Sequence, residues 1–215
     1  MHGTFIQRLG RIPLAILRRP QDLPRYMTQA PWTRRSPLAL QLPWFSYAAI
    51  DFLASAVKPT DRVCELGGGG STLWFAKRAG RVVTLESDPA WAGFIKQSLP
   101  QSLAAKVQII ESPLPPPFTP FDAATYLAPL KGQAFDWIVL DFMDDQFDRR
   151  PAALPWLERH LLTNGGALIV DDAWRYPAIP TTQAAQTLRF SSLGPARYGV
   201  TRTDVHFYMP DREQR

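Results

Sequence analysis

Residues 63–72 read Val-Cys-Glu-Leu-Gly-Gly-Gly-Gly-Ser-Thr, and much of the predicted architecture follows from them. A short apolar segment carries an acid, Glu65, and runs into four glycines that allow a tight turn and close approach by another group. Ser71 and Thr72 suit the start of a helix, whose N-terminus offers free backbone N–H groups. This order predicts a ligand pocket where a strand passes into a helix, at one edge of a parallel sheet.

Apolar runs alternate with amphipathic segments along the rest of the chain. Besides the strand before the glycines, strands are predicted at 81–85, 107–110, 137–140, 167–170 and 205–209. Helices are predicted from Ser46, after the glycines, after Asp88, around 154–161 and around 182–188; the helix after Asp88 should place Trp91, Phe94 and Ile95 on the sheet. This alternation predicts the α/β class, with a doubly wound, mostly parallel sheet and helices on both faces.

The spacing of the glycines excludes two common nucleotide sites. A dinucleotide fingerprint requires Gly-x-Gly-x-x-Gly, but its third glycine falls on Thr72 or Leu73. A phosphate-binding P-loop requires Gly-Lys-Ser/Thr, and no lysine follows the glycines. Glu86, at the end of the second strand, lies 19 residues after Gly67, which suits a carboxylate that accepts hydrogen bonds from ribose hydroxyls.

Acidic residues lie at the ends of the other predicted strands as well. The full set is Glu65, Glu86, Glu111, Asp141 and the pair Asp171-Asp172. Ligands of open α/β sheets bind beyond the carboxyl ends of the strands, so we expect these acids to meet in one crevice. The alternative to a ligand-binding role is that each acid, taken by itself, caps a helix or stabilises a turn.

The pattern Glu65-x-Gly67-x-Gly69-x-Ser71 resembles motif I of the class I S-adenosylmethionine-dependent methyltransferases, which have a Rossmann-like fold. The resemblance covers roughly residues 45–210. It implies that Glu65 orients the methionine amino group of the cofactor and that Glu86 holds the ribose. The cofactor-binding residues implied in this way are Glu65, Gly67, Gly68, Gly69, Ser71, Glu86, Ser112 beside the adenine, and Asp141.

A weaker resemblance concerns the reaction itself. Asp141, Asp171-Asp172 and the following Trp174 are similar to the metal-binding acids of the divalent-cation-dependent O-methyltransferases, which carry Asn where this chain has Asp172. Carboxylates can hold a hard cation or serve as a general base. We predict Asp141 and Asp171 as catalytic residues and no metal site; a divalent cation is the less favoured alternative.

The predicted domain boundary follows the charge distribution. Residues 1–35 hold seven arginines and one acid, whereas the whole chain has a net charge of +5. We predict a basic, Pro/Arg-rich N-terminal arm at 1–43 and a methyltransferase domain at 44–215. The arm has four alternative roles: an extension packed over the sheet edge, a peripheral contact with anionic membranes, a contact with RNA phosphates, or a cleavable presequence.

Composition and length limit the class of protein. The 215 residues suit one globular domain, no run of 18 apolar residues predicts a membrane span, and the single cysteine, Cys64, suits a reducing, cytoplasmic location. The predicted function is methyl transfer from S-adenosylmethionine to a small molecule, at oxygen. The alternatives are an RNA methyltransferase that uses the basic arm and a non-catalytic cofactor-binding protein. The sequence does not indicate whether the protein forms oligomers.

Overall fold

The computed structural model describes residues 5–116, 119–176, 179 and 184–209. Its described part contains one seven-stranded sheet. The strands are β1 (Arg62–Leu66), β2 (Arg81–Glu86), β3 (Val107–Glu111), β4 (Phe135–Leu140), β5 (Leu162–Val170), β6 (Gln186–Ser192) and β7 (Thr201–Phe207).

The strand order is β3-β2-β1-β4-β5-β7-β6. The first five strands of this order are parallel, and β7 is antiparallel to both β5 and β6. Because β1 lies beside both β2 and β4, the chain reverses its winding direction there and leaves a crevice at the carboxyl end of β1. The predicted class, a doubly wound and mostly parallel α/β sheet, is confirmed.

Helices cover both faces of the sheet. They are α1 (Phe5–Gly10), α2 (Ile12–Arg18), α3 (Asp22–Gln29), α4 (Pro37–Leu40), α5 (Tyr47–Ala56), α6 (Gly70–Ala76), α7 (Pro89–Ser98), α8 (Gln101–Ala104), α9 (Ala123–Tyr126) and α10 (Arg149–His160). Their starts follow the sequence signals: the Ser46 hydroxyl caps α5, and Asp88 followed by Pro89 opens α7.

Alternate residues of the central strands point to opposite sides of the sheet and form two hydrophobic cores. Val63 and Val139 pack with α5 and α6 on one side. Cys64 and Ile138 pack with α10 on the other side. Since both faces of β1 and β4 are buried, their sequences read as apolar runs rather than as alternating patterns.

Two local predictions are wrong. The helix expected around 182–188 is strand β6 from Gln186 onward, because this segment pairs with β7 in the register Leu188 to Val205; Thr182 lies outside the described residues. Phe94 does not face the sheet but is 57% exposed, whereas Ile95 is fully buried. For β6, strand pairing with β7 outweighs the local helical pattern.

The N-terminal arm (residues 1–43) packs closely on the rest of the molecule in its described part. Tyr26 and Ala30 are buried in the same core as α5. Arg19 and Arg25 each lie 2.6 Å from the Asp51 carboxylate of α5. The division at residue 43 stays a prediction. Among the described residues, no helix is long and apolar enough to cross a membrane.

Candidate functional site

A cavity of about 600 Å³ opens at the carboxyl ends of β1, β2 and β4. Its floor is the turn Gly67–Ser71, and Glu86 and Asp141 flank that turn. A further wall comes from Pro37 and Leu42 of the arm and from Trp44, which follows the arm. The volume is in the range of protein sites for small molecules and cofactors.

The glycine turn needs glycine both for its backbone conformation and for its close packing. Gly67 has φ +87°, and its N–H donates to the Leu85 carbonyl at 2.9 Å. A Cβ at this position would lie 2.8 Å from the carbonyl oxygen of Asp141. Glycine is therefore required here both for the left-handed backbone and for the close approach of β4.

Glu86 closes one side of the cavity and is bound to the backbone around it. Its Oε2 accepts a hydrogen bond from Gly68 N at 2.9 Å, and its Oε1 accepts from Ser87 N at 2.7 Å and Asp88 N at 2.9 Å. These bonds fix the carboxylate at the end of β2. Because a carboxylate oxygen accepts more than one hydrogen bond, Glu86 retains acceptor capacity toward the cavity.

Glu65 is fully buried in β1 beside the glycine turn. Its Oε2 accepts from the Thr84 hydroxyl at 2.9 Å, while its Oε1 has no partner among the described residues. Burial raises the Glu65 pKa to about 7, and the neighbouring hydroxyls of Ser71, Thr72 and Thr84 oppose that rise, although of these only Thr84 donates a hydrogen bond to it. A buried acceptor without a donor is costly, so this oxygen suits a ligand that brings an N–H donor.

Asp141, at the end of β4, lines the cavity and is oriented by Arg150. The Arg150 Nη2 lies 3.1 Å from Asp141 Oδ1, and its other nitrogens donate to the carbonyls of Leu140, Phe142 and Asp171. Burial raises the pKa of Asp141, and Arg150 and Arg197 oppose this. A carboxylate with a raised pKa that reaches a cavity suits proton transfer.

Asp171 and Asp172, at the end of β5, share the guanidinium of Arg197. Burial raises the pKa of Asp171, whose side chain has no exposed surface. Burial acts in the same direction on Asp172, but Arg197 and Arg175 outweigh it and lower the Asp172 pKa to about 2. Burial is thus the main cause of the raised pKa of Asp171, and the nearby carboxylates of Asp141 and Asp172 act in the same direction.

The structure brings most of the predicted site residues to one cavity. Its lining includes Gly67, Gly68, Gly69, Ser71, Glu86 and Asp141. Within the described chain, Glu65, Ser112 and Asp171 lie outside the lining. Ser112 Oγ donates to the Tyr126 carbonyl at 3.2 Å, and its N–H donates to the Glu86 carbonyl at 2.8 Å, so Ser112 supports the strand ends.

The lining residues that were not predicted as site residues include Trp44, Trp91, Arg150 and Arg197. The Trp91 indole N–H donates to the Gly68 carbonyl at 2.9 Å and so closes the glycine turn from α7. The sequence did offer a signal for Trp91, because this residue lies in the first turn of the helix predicted after Asp88. The other three act through contacts between distant segments, which no local pattern reveals.

The sequence matches no known family model and no curated protein. Solved structures do share the fold. An O-methyltransferase from Bacillus cereus in complex with SAH superimposes with a TM-score of 0.57 at 21% identity, covering 80% of this chain and 86% of that one. Cofactor-bound Rv0187 from MTB superimposes with a TM-score of 0.56 at 24% identity, covering 76% and 79% of the two chains.

A third similar structure belongs to a different kind of methyltransferase. The rRNA methylase from Streptococcus thermophilus superimposes with a TM-score of 0.54 at 15% identity, covering 75% of this chain and 94% of that one. At these identities the comparisons establish the fold alone. The chain has the Rossmann-like α/β fold of the S-adenosylmethionine-dependent methyltransferases, and the resemblance noted in motif I is confirmed at that level.

Proposed function

We propose that this protein is a methyltransferase that uses S-adenosylmethionine and transfers its methyl group to the oxygen of a small molecule. The observation that carries the proposal is the convergence of the glycine turn, Glu86 and Asp141 on one cavity. The fold shared with methyltransferases supports it, as does the absence of the third dinucleotide glycine.

The residues of the cavity fit the proposed cofactor. Glu86 supplies acceptors for ribose hydroxyls beyond its three backbone contacts. The partnerless Oε1 of Glu65 suits the amino group of the methionine moiety, whose N–H groups would satisfy it. Gly67 and Gly68 allow the turn to pack closely against Asp141 and Thr84, and Gly69 leaves open space beside the turn. Ser112 stays a predicted contact of the adenine.

When bound, S-adenosylmethionine supplies a methyl group already activated on a sulfonium. The chain therefore has to orient the acceptor and to remove its proton. We propose Asp141 as the general base, because it lines the cavity, has a raised pKa and is held by Arg150. Asp171 is bonded behind the cavity wall, so we propose that it contributes by positioning Arg197.

A binding measurement followed by a transfer screen tests this proposal. Calorimetry should show binding of S-adenosylmethionine and of S-adenosylhomocysteine in preference to NAD. A subsequent methyl-transfer screen against phenols, carboxylic acids, sugars and RNA then identifies the acceptor. Tight binding of NAD with no response to S-adenosylmethionine would refute the proposed cofactor, and transfer to RNA alone would replace the small-molecule acceptor.

We also propose a cytoplasmic location. Cys64 is a free thiol buried in β1, where it serves as a small core residue. A single buried thiol that forms no disulfide is usual for proteins of reducing compartments. Localisation of a fluorescent fusion of the full chain checks this assignment.

A further inference from the structure

The acids at the ends of β4 and β5 are already paired with cations that belong to the chain. Arg197 Nη1 lies 2.7 Å from Asp172 Oδ1 and 2.9 Å from Oδ2, and Arg197 Nη2 lies 2.5 Å from Asp171 Oδ2. Arg150 Nη2 lies 3.1 Å from Asp141 Oδ1. One planar guanidinium thus bridges two neighbouring carboxylates, a geometry that suits arginine.

The β5 acids also accept hydrogen bonds from neighbouring side chains. Asp171 Oδ1 accepts from the Thr203 hydroxyl at 3.2 Å. Asp172 Oδ1 accepts from the Trp174 indole at 2.9 Å and from the Thr201 hydroxyl at 3.2 Å. Each oxygen of the two carboxylates therefore already has a partner in a network centred on Arg197.

Arg197 is held in place from the other side by the arm. Its side chain is only 11% exposed, and its Nε donates to the Trp44 carbonyl at 2.9 Å. The Tyr26 hydroxyl donates to the Arg197 carbonyl at 3.1 Å, and Ala196 N donates to the Gln29 carbonyl at 2.7 Å. A guanidinium fixed by backbone and side-chain contacts is a built-in part of the site, unlike an exposed ion pair.

These residues do not fit a divalent cation. Within the described part of the chain, no group of three or more His, Cys, Asp or Glu side chains is placed to hold a metal ion. A cation near Asp171 and Asp172 would compete for oxygens that Arg197 already binds. It would also meet the positive charge of that guanidinium at short range, where like charges repel strongly.

We propose that Arg197 is an internal cation that takes the place of a metal ion at the ends of β4 and β5. Resting on the proposed methyl transfer, this means that the site works without a divalent cation. Arg197 is then a positioning residue: it compensates the charge of Asp171 and Asp172, and its segment contacts the arm through Tyr26.

Chemical rescue tests this role by a readout other than activity. Arg197→Ala should lower the Tm by roughly 10 °C, since it leaves two buried carboxylates without their cation. Millimolar guanidinium chloride, far below denaturing concentrations, should restore part of that loss in the variant but not raise the Tm of the wild type. Sodium chloride at the same concentration serves as the control for ionic strength.

Arg202→Ala is the matched variant, because Arg202 also pairs with a buried acid, Asp204, at 3.0 Å, but outside the cavity. Because Arg189 also lies 4.0 Å from Asp204 and remains in this variant, Arg202→Ala should gain less from guanidinium than Arg197→Ala. If Arg197→Ala does not fold, Arg197→Lys, which keeps the charge, should have a higher Tm than Arg197→Met, which removes it. A folded Arg197→Ala variant that gains nothing from guanidinium would overturn the role of an internal cation.

Metal binding is measured independently on the wild type by electron paramagnetic resonance of Mn²⁺. The proposal expects no stoichiometric Mn²⁺ binding, and one ion bound per chain at this site would overturn it. Full methyl-transfer activity in EDTA is expected as well. If S-adenosylmethionine does not bind at all, the proposed function fails, but the rescue and Mn²⁺ experiments still decide the role of Arg197.

Discussion

Glu86 is the residue on which we expect cofactor binding to depend most. Its carboxylate lies in the cavity wall at the end of β2, and its bonds to Gly68, Ser87 and Asp88 keep it there. The next strand end offers a contrast. Glu111 lies beside Glu86 in the register of β2 and β3, but it pairs with Lys96 at 2.8 Å and does not line the cavity.

Glu86→Ala should therefore weaken S-adenosylmethionine binding, whereas Glu111→Ala should not. The loss of a charge-assisted hydrogen bond costs about 1.5–3 kcal/mol, which corresponds to roughly 10- to 150-fold in the dissociation constant. Calorimetric titration of both variants measures this dissociation constant, and their Tm values show whether they are folded. Unchanged affinity in a folded Glu86→Ala variant would remove Glu86 from the site.

Glu65 gives a prediction about pH. Its raised pKa means that the native chain keeps a proton which the unfolded chain releases above about pH 4.5. The contribution of Glu65 to the free energy of unfolding should thus fall as pH rises from 4.5 to about 7 and then level off. The total decrease is on the order of 3 kcal/mol.

Glu65→Gln removes this titration while keeping the shape of the side chain. Urea unfolding at a series of pH values, without ligand, should show the stability of Glu65→Gln rising relative to wild type across this window. Glu111→Gln, an exposed control, should show no comparable trend. A constant difference between Glu65→Gln and wild type would mean that Glu65 is ionised throughout.

Helix α6 packs against the arm at Gly70, so a substitution there tests how much this contact contributes to stability. A Cβ on Gly70 would overlap the carbonyl oxygens of Pro37 and Leu42. Gly93, in α7, has open space around it. Helix propensity favours alanine over glycine in both positions, so only the packing differs between them.

Gly70→Ala should destabilise the protein by about 1–3 kcal/mol through overpacking against the arm. Gly93→Ala should stabilise it by up to about 1 kcal/mol through helix propensity. Thermal unfolding of the two variants side by side tests this difference in sign. Stabilisation by both substitutions would show that α6 does not contact the arm at Gly70.

For the whole molecule, the arm and the sheet should unfold together. Tyr26 is 4% exposed and lies in the core that contains α5, and the arm also holds the segment around Arg197. A chain of this size with a continuous core is expected to unfold cooperatively. The arm would then contribute to stability and to the site, although its composition suggested a separate extension.

Tyr26→Ala should lower the stability of the entire chain by about 3–5 kcal/mol, as aromatic truncations in a core do. Leu17→Ala is the control, since Leu17 is 78% exposed, and it should change little. Calorimetry should show one transition for both variants. A separate arm transition, with the main transition unmoved by Tyr26→Ala, would support the predicted division at residue 43.

The sequence by itself determined the fold class and one half of the site. The alternation of strands and helices, the glycine turn and the acid 19 residues after Gly67 are local signals, because a tight turn and a helix start depend on neighbouring residues. Together with the acids at the strand ends, they were sufficient to predict that Glu86, after β2, and Asp141, after β4, lie at the cavity.

Only the tertiary structure decided the other half of the site. The pairing of Arg197 with Asp171 and Asp172 joins residues 25 or 26 positions apart, and the contact with Trp44 spans 153. Strand β6 likewise depends on its pairing with β7. Such contacts form because packing brings distant charges and strands together and then requires each buried group to find a partner, and no local spacing encodes which partner that is.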